Sequence, residues 1–245
     1  TLYSFESESS PIDSGWQYRW GDSPFVNGTP LWTYENNDSA WKDIGFPSNP
    51  PDRKGQNNVW YKVKLPDQSR LGSSIYIFSI DLIAECYLGS ELIYNYGKFK
   101  QDGTGSFEGW PWHCIPLPND YYGKTIYFRI YSDYPDIGLW GEVSLGSEGA
   151  HLKNIISSDI LRISIGSAFL FIGLVLVLFS LIRRNRILFM MGILMLNLGF
   201  IPFDSSEIKQ LIWFNPLAWQ YAGAANYFIL PITTAALIHN IYGCG

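Results

Sequence analysis

The run from Ile163 to Ile182, ISIGSAFLFIGLVLVLFSLI, constrains this chain more than any other segment. It is twenty uncharged, mostly apolar residues, closed at once by Arg183-Arg184-Asn185-Arg186. At about 1.5 Å per helical residue it is long enough to cross a hydrocarbon core of about 30 Å. Short flanking loops rich in Lys and Arg stay in the cytoplasm, so the arginine cluster assigns that side to residues 183–186. Residues 1–159 are then expected outside the cytoplasm. A polar domain held outside, followed by a dive into the membrane, is the layout of a receptor or of a membrane-anchored binding protein.

Whole-chain averages hide this division. A hydrophobic content of 47% and a mean hydropathy of +0.01 would suit an ordinary soluble protein. Residues 1–159 carry 20 acidic and 12 basic residues, a net of −8, whereas residues 160–245 carry 2 and 5, a net of +3, and together these give the total of −5. An acidic exterior argues against nucleic acid, whose phosphates need a basic face. A stretch of about 150 residues is an ordinary size for one domain with a full core. Cys86 and Cys114 fall in the outer part and Cys244 at the far end. In an oxidising space the first two could pair or stay as buried thiols, and spacing leaves both open. A start at Thr1 without initiator Met or signal peptide, and a stop at Gly245 just after a hydrophobic span, suggest a piece of a longer protein.

Residues 1–150 read as an all-β sandwich. Short stretches rich in Tyr, Val, Ile and Trp recur between Gly, Pro, Asn and Asp, the pattern of strands joined by turns. The strand candidates are residues 59–65, 74–80, 84–88, 92–96 and 125–132. In the first of these, Val59, Tyr61, Val63 and Leu65 share one face, so a period of two predicts one buried and one wet side. Residues 34–58 read as a long surface loop anchored by Trp41, with no helix past Gly45, and residues 151–159 as a joint into the membrane. The first span is placed at residues 160–182. A second, at 187–203, holds Asn197 and ends near Pro202. A third, at 219–242, holds Asn226 and Pro231 and is flanked by interfacial Trp219, Tyr221 and Tyr242. Arg162 is expected to snorkel at the outer interface and the asparagines to bond between helices.

Eight of the ten tryptophans lie in residues 1–159. An exposed aromatic face stacks on a sugar ring while nearby polar groups take its hydroxyls, the division of labour of small-ligand sites. The Gly109-Trp110-Pro111-Trp112-His113 stretch, in a glycine-rich connection, supplies the candidates Trp110, Trp112 and His113, joined by Asp133 and Trp140. Trp16 and Trp60 are assigned to the core. No metal spacing, nucleophile elbow, phosphate loop or dinucleotide fingerprint occurs, so neither a cofactor nor a metal is expected. A glycosidase needs two carboxylates about 5–10 Å apart, and nothing selects Asp81 and Glu85 as such a pair. Catalysis is not expected.

Several stretches carry a family likeness: WQYRWGDSP (Trp16–Pro24), NNVWYKVKLP (Asn57–Pro66), AECYLGSELIYNYG (Ala84–Gly97), FRIYSD (Phe128–Asp133) and GLWGEVSLG (Gly138–Gly146). They resemble the jelly-roll, galactose-binding-like sugar-binding domain of family 2 glycoside hydrolases. The turn Leu88-Gly89-Ser90-Glu91 departs from the usual Asn-Gly type, though Gly89 supplies the permissive backbone. With hydrophobic spans behind it, the whole resembles the bacterial seven-transmembrane receptors with diverse intracellular signalling modules. Ile208–Gly243 is similar to that family's second loop and third span. The resemblance implies four further helices and a cytoplasmic output domain, such as a diguanylate cyclase or histidine kinase. It also implies an outer domain that binds a carbohydrate or other small ligand, contact with membrane lipid, and a homodimer. The rival expectation is a membrane-anchored carbohydrate-binding or scaffold protein without signalling output.

Overall fold

The computed structural model describes residues 9–35, 38–67 and 73–243; Thr1 and Cys244 lie outside the described residues. The chain divides into two compact units, residues 1–152 and 153–245.

The first unit is a β-sandwich. Strands β1 (Ser10–Pro11), β2 (Trp16–Trp20), β3 (Phe25–Val26), β4 (Thr29–Pro30), β5 (Lys42–Ile44) and β6 (Asn58–Lys64) are followed by β7 (Ser73–Ile80) and β8 (Ile83–Leu88). The series ends with β9 (Glu91–Tyr96), β10 (His113–Pro116), β11 (Thr125–Tyr131) and β12 (Leu139–Ser147). One antiparallel sheet has the order β1-β12-β7-β10 and the other β5-β2-β6-β11-β8-β9, while β3 and β4 form a separate hairpin. All five strand candidates are strands, at β6, β7, β8, β9 and β11. Between β8 and β9 the turn runs through Gly89 at φ +58°, a left-handed conformation that glycine adopts without steric cost.

The period of two explains the core. Val59, Tyr61, Val63 and Leu65 point inward from the larger sheet and meet Ile75, Ile77, Ile115 and Leu145 of the smaller one in a single buried cluster. Trp16 belongs to that cluster, its ring tilted against Phe128 at 5.9 Å. Trp60 is also fully buried, but on the opposite face of its sheet, with Trp32, Trp41 and Tyr87. The outer face was expected to be wet; here it is covered. Within residues 34–58, expected as a long surface loop, Asp38–Ala40 is a 3-10 turn and Lys42–Ile44 joins the sheet edge as β5; with the preceding 3-10 turn Leu31–Thr33 this sets Trp32 and Trp41 over the face. Trp41, Trp32, Trp60 and Tyr87 pack ring on ring in a row, and taking that apolar surface out of water favours the covered face. Cys86 and Cys114 are separate free thiols, in β8 and β10.

The second unit is helical. Helix α1 runs Glu148–Arg183, α2 Arg186–Asp204, α3 Lys209–Ile212 and α4 Pro216–Tyr242. Residues 151–159, expected as a joint, are the first turns of α1 rather than a linker. Asn185 caps α2 by accepting from the Leu188 amide, and Asn215 caps α4 by accepting from the Ala218 amide, with Pro216 in its first turn. Three of the helices, α1, α2 and α4, are long and apolar enough to cross a membrane.

Helices α1 and α2 meet through glycines in register. A Cβ on Gly166 would lie 2.9 Å from the Gly199 carbonyl oxygen, and one on Gly173 would lie 2.9 Å from that of Gly192. The pairs run in opposite directions along the two helices, each with a spacing of seven residues. Backbone-to-backbone approach of this kind is how helices associate where no hydrophobic drive separates them from lipid. Between α2 and α4, the Asn226 side chain donates to the Asn197 carbonyl at 3.2 Å. At the other end of the unit, buried Asp159 accepts from the amides of Glu207 and Ile208 and pairs with Arg162 at 3.1 Å.

Candidate functional site

The register of the larger sheet builds an ordered row across its outer face. Arg19, Trp60, Arg129 and Glu85 are direct cross-strand neighbours on β2, β6, β11 and β8. Arg129 is the one charge in the otherwise apolar and aromatic strand TIYFRIY, and it is 6% exposed. A buried guanidinium must be saturated. Its Nε donates to Asp22 at 2.8 Å, a second nitrogen bonds the other Asp22 oxygen, and a third donates to Glu85 at 2.9 Å. Glu85 also accepts from the Tyr87 hydroxyl at 2.6 Å, and Asp22 from the Trp60 indole at 3.1 Å. Burial alone would lower the basicity of Arg129, but the two carboxylates outweigh it and push its pKa up. Burial, with Glu85 beside it, likewise pushes the Tyr87 hydroxyl well up.

Aromatic rings close over this charge. Arg129 lies 3.9 Å from the Phe99 centroid and 4.8 Å from that of Phe25, which is 41% exposed. The 99–107 connection comes down so closely that a Cβ on Gly103, at φ +76°, would stand 2.9 Å from an Asp22 oxygen. Only glycine suits that approach.

The same connection leads to an exposed aromatic group. Phe107, packed with Phe99 on buried Leu82, Ile83 and Tyr131, meets the Trp110 ring edge-on at 4.8 Å. Tyr134 contacts both, at 5.8 Å from Phe107 and 6.2 Å from Trp110. Trp110 is 45% exposed. The turn that carries Asp133 and Tyr134 is clamped by Arg53, which donates to the carbonyls of Ser132, Tyr134 and Pro135. An indole braced on two sides and open on a third can offer a flat face to a sugar ring, with the exposed Asp133 carboxylate one residue from its neighbour Tyr134.

The five candidate residues do not converge on one surface. Trp110 and the turn of Asp133 come together. His113 is buried in β10, its Nδ1 2.8 Å from the Tyr94 hydroxyl and its ring edge-on to Tyr96 at 4.8 Å; burial lowers its pKa to about 3. Trp112 lies against Tyr76, and Trp140 donates its indole N–H to Asp81. Asp81 is 5% exposed, and burial raises its carboxyl pKa to about 6. Asp81 and Glu85 are parted by chemistry as well as position: Glu85 serves Arg129, Asp81 serves Trp140. Residue spacing alone did not reveal the Arg129 cluster, Phe107 or Tyr134; the readable signal was a lone arginine inside an aromatic strand.

A polar cavity of about 330 Å³ lies beside β2 and β5, lined by Arg19, Trp20, Lys42, Asp52, Lys54 and Gln56 among others. Arg19 is held there by the Trp32 ring, 3.8 Å from its guanidinium carbon, and by Glu35 at 3.5 Å. Among the described residues, no group of three or more His, Cys, Asp or Glu side chains is placed to hold a metal ion.

A scan of protein families and a search of curated proteins each found no match to this chain. Solved structures align with part of this chain. A family 2 glycosyl hydrolase from Bacteroides cellulosilyticus DSM 14838 aligns with 56% of this chain at 15% identity and a TM-score of 0.38. The β-glucuronidase of Parabacteroides merdae aligns with 57% at 13% identity and a TM-score of 0.40, and that of Faecalibacterium prausnitzii with 56% at 14% and 0.38. The matched part spans 20%, 22% and 31% of the three enzymes, in that order. At these values the likeness transfers neither an activity nor any residue's role.

Proposed function

We propose that this chain is the sensor portion of a bacterial membrane receptor of the seven-transmembrane type with intracellular signalling modules. Its outer β-sandwich takes a carbohydrate or similar small ligand, and residues 183–186 face the cytoplasm. The observation that carries the reading is the exposed Trp110 ring, braced by Phe107 and Tyr134, in a protein that also holds three helices fit to cross a membrane. A lone anchor needs one such helix. Three, with Asn226 bonded across to α2, suit a bundle whose packing a ligand biases by preferring one of two arrangements. This reading assigns binding to the chain and places the enzymatic output elsewhere.

The test uses the full chain in neutral detergent against a panel of glycans, with and without Trp110→Ala. The expected result is a glycan bound by the parent and lost by the variant, while the variant stays folded with a melting temperature only a few degrees lower. Binding of no glycan, or undiminished binding by the variant, would remove this surface from the proposal.

A further inference from the structure

The helical unit holds a cavity whose lining is itself amphiphilic. About 500 Å³ in volume, it opens where α1 ends, α2 begins and α4 approaches its last turn. Leu181, Phe189 and Met190 form an apolar part, and Arg184, Arg186 and Asn240 a polar one. The neutral polar groups have local work: Ser180 donates to the Val177 carbonyl, Asn185 caps α2, and Asn240 donates to the Ala236 carbonyl. The side chains of the two arginines make no hydrogen bond or ion pair among the described residues, while neighbouring Arg183 lies over the Phe179 ring.

The unit has no acid to offer them. Its acidic residues are Asp159, Asp204 and Glu207. Asp204 closes the 19-residue α2 that Arg186 opens, which at about 1.5 Å per residue separates the two by about 27 Å. Asp159 stands 24 residues before Arg183 on α1, about 36 Å away by the same rise. All three lie at that far end: Asp159 pairs with Arg162, Asp204 with Lys209, and the Glu207 amide donates to Asp159. The turn into α2 also holds Arg184 at φ +50°, a left-handed conformation uncommon outside glycine. This exposed arginine end has no acid of the unit within reach, and an apolar surface of the same cavity lies beside it.

We propose that this cavity is a site for one anionic phospholipid, its phosphate between Arg184 and Arg186 and an acyl chain along Leu181, Phe189 and Met190. The proposal rests on these helices lying in a bilayer, as the proposed function has it. Basic pockets between spanning helices are suited to such head groups.

The test uses the full chain in neutral detergent, with melting temperature and native mass spectrometry as readouts. Phosphatidylglycerol is added beside phosphatidylcholine of the same acyl chains. Phosphatidylglycerol is expected to raise the melting temperature by several degrees and to be retained as a single bound lipid; phosphatidylcholine is expected to do neither. Both effects should vanish in Arg184→Gln/Arg186→Gln and persist in Arg184→Lys/Arg186→Lys, which keeps the charge. Equal response to both lipids, an undiminished response in the glutamine variant, or the same shift from inorganic phosphate alone would each overturn the proposal. Flotation with phosphatidylcholine vesicles reports the bilayer premise independently of head group, so failure of the premise is told apart from failure of the site.

Discussion

The two units of this chain solve packing in opposite ways. In the β-sandwich, large side chains do the work: Trp16, Trp60, Tyr61 and Phe128 are fully buried, on both faces of one sheet. In the helical unit α1 and α2 approach by having no side chain, with Gly166 against Gly199 and Gly173 against Gly192. The membrane placement proposed for α1, α2 and α4 accounts for the contrast. Water drives aromatic surface inward, whereas a lipid surrounding is as apolar as leucine, so helices gain from dispersion at close range rather than from burial. Exposed Phe171, Leu181 and Ile182 would be a liability in water and are ordinary against hydrocarbon. Charge follows the same division: the sandwich saturates buried Arg129 with its own acids, while Arg184 and Arg186 are left without any.

The contrast can be broken most forcefully at Trp60. Trp60→Ala removes the centre of the outer aromatic cluster and the indole bond to Asp22, and should cost about 3–5 kcal/mol. A melting temperature within a few degrees of the parent would show that the outer face is not a second core. Next is Arg129→Met, which strands Asp22 and Glu85. Removing one partner of a buried pair costs about 3–5 kcal/mol, and the residual solvent access of both carboxylates brings the expectation to about 2–4 kcal/mol. Chemical denaturation reads it, and a neutral result would mean the pair is no more than a surface bridge.

A pH series tests burial at Asp81. Its folded-state pKa is about 6 against 3.8 unfolded, because burial disfavours the charge. The native state thus holds its proton longer, so Asp81 lowers stability as pH rises from about 4 to 6, by up to about 3 kcal/mol. His113, depressed to about 3, acts in the opposite sense, its stabilising share being lost as pH falls below 6.5. The Asp81 share is therefore read from the difference between Asp81→Asn and parent. The variant should gain on the parent across that window and remain more stable at pH 7; superimposable profiles would place Asp81 in contact with water.

In the helical unit, Gly173→Leu forces a side chain into backbone atoms of α2 and should cost about 1–3 kcal/mol, as overpacking does. Thermal unfolding in detergent measures it, with Gly149→Leu as the control because a Cβ there meets nothing within 4 Å. Equal behaviour of the two would show that the helices do not meet at the glycines. The smallest effect belongs to Trp110→Ala, about 1 kcal/mol, since the half-exposed ring loses only its contacts with Phe107 and Tyr134. A larger loss would make Trp110 a packing residue and weaken its claim to a ligand.

Sequence pattern carried the strand faces far and the outer cluster hardly at all. The alternation in VWYKVKL states which residues of β6 share a face, but Trp60 falls on the other face, and its burial depends on Trp32 and Trp41 packing over it. The glycines at positions 166, 173, 192 and 199 stand in the sequence with their seven-residue spacing, yet only the approach of two backbones gives the spacing meaning. Trp110 was legible as an aromatic in a glycine-rich stretch. His113, three residues on, was equally legible and is buried, because strand β10 begins there.

What the sequence by itself determined is local and periodic: strands from a period of two, and spanning helices from length and the absence of charge. These follow from each residue's own surface and its near neighbours, which any reader of the chain can count. What only the tertiary structure decided is which distant side chains meet: Asp22 with Arg129 across 107 positions, Asp159 with the amides of 207 and 208, Trp32 over Trp60. Such meetings depend on how whole strands and helices register against one another, and that registry is set by packing summed over many residues rather than by any single pair.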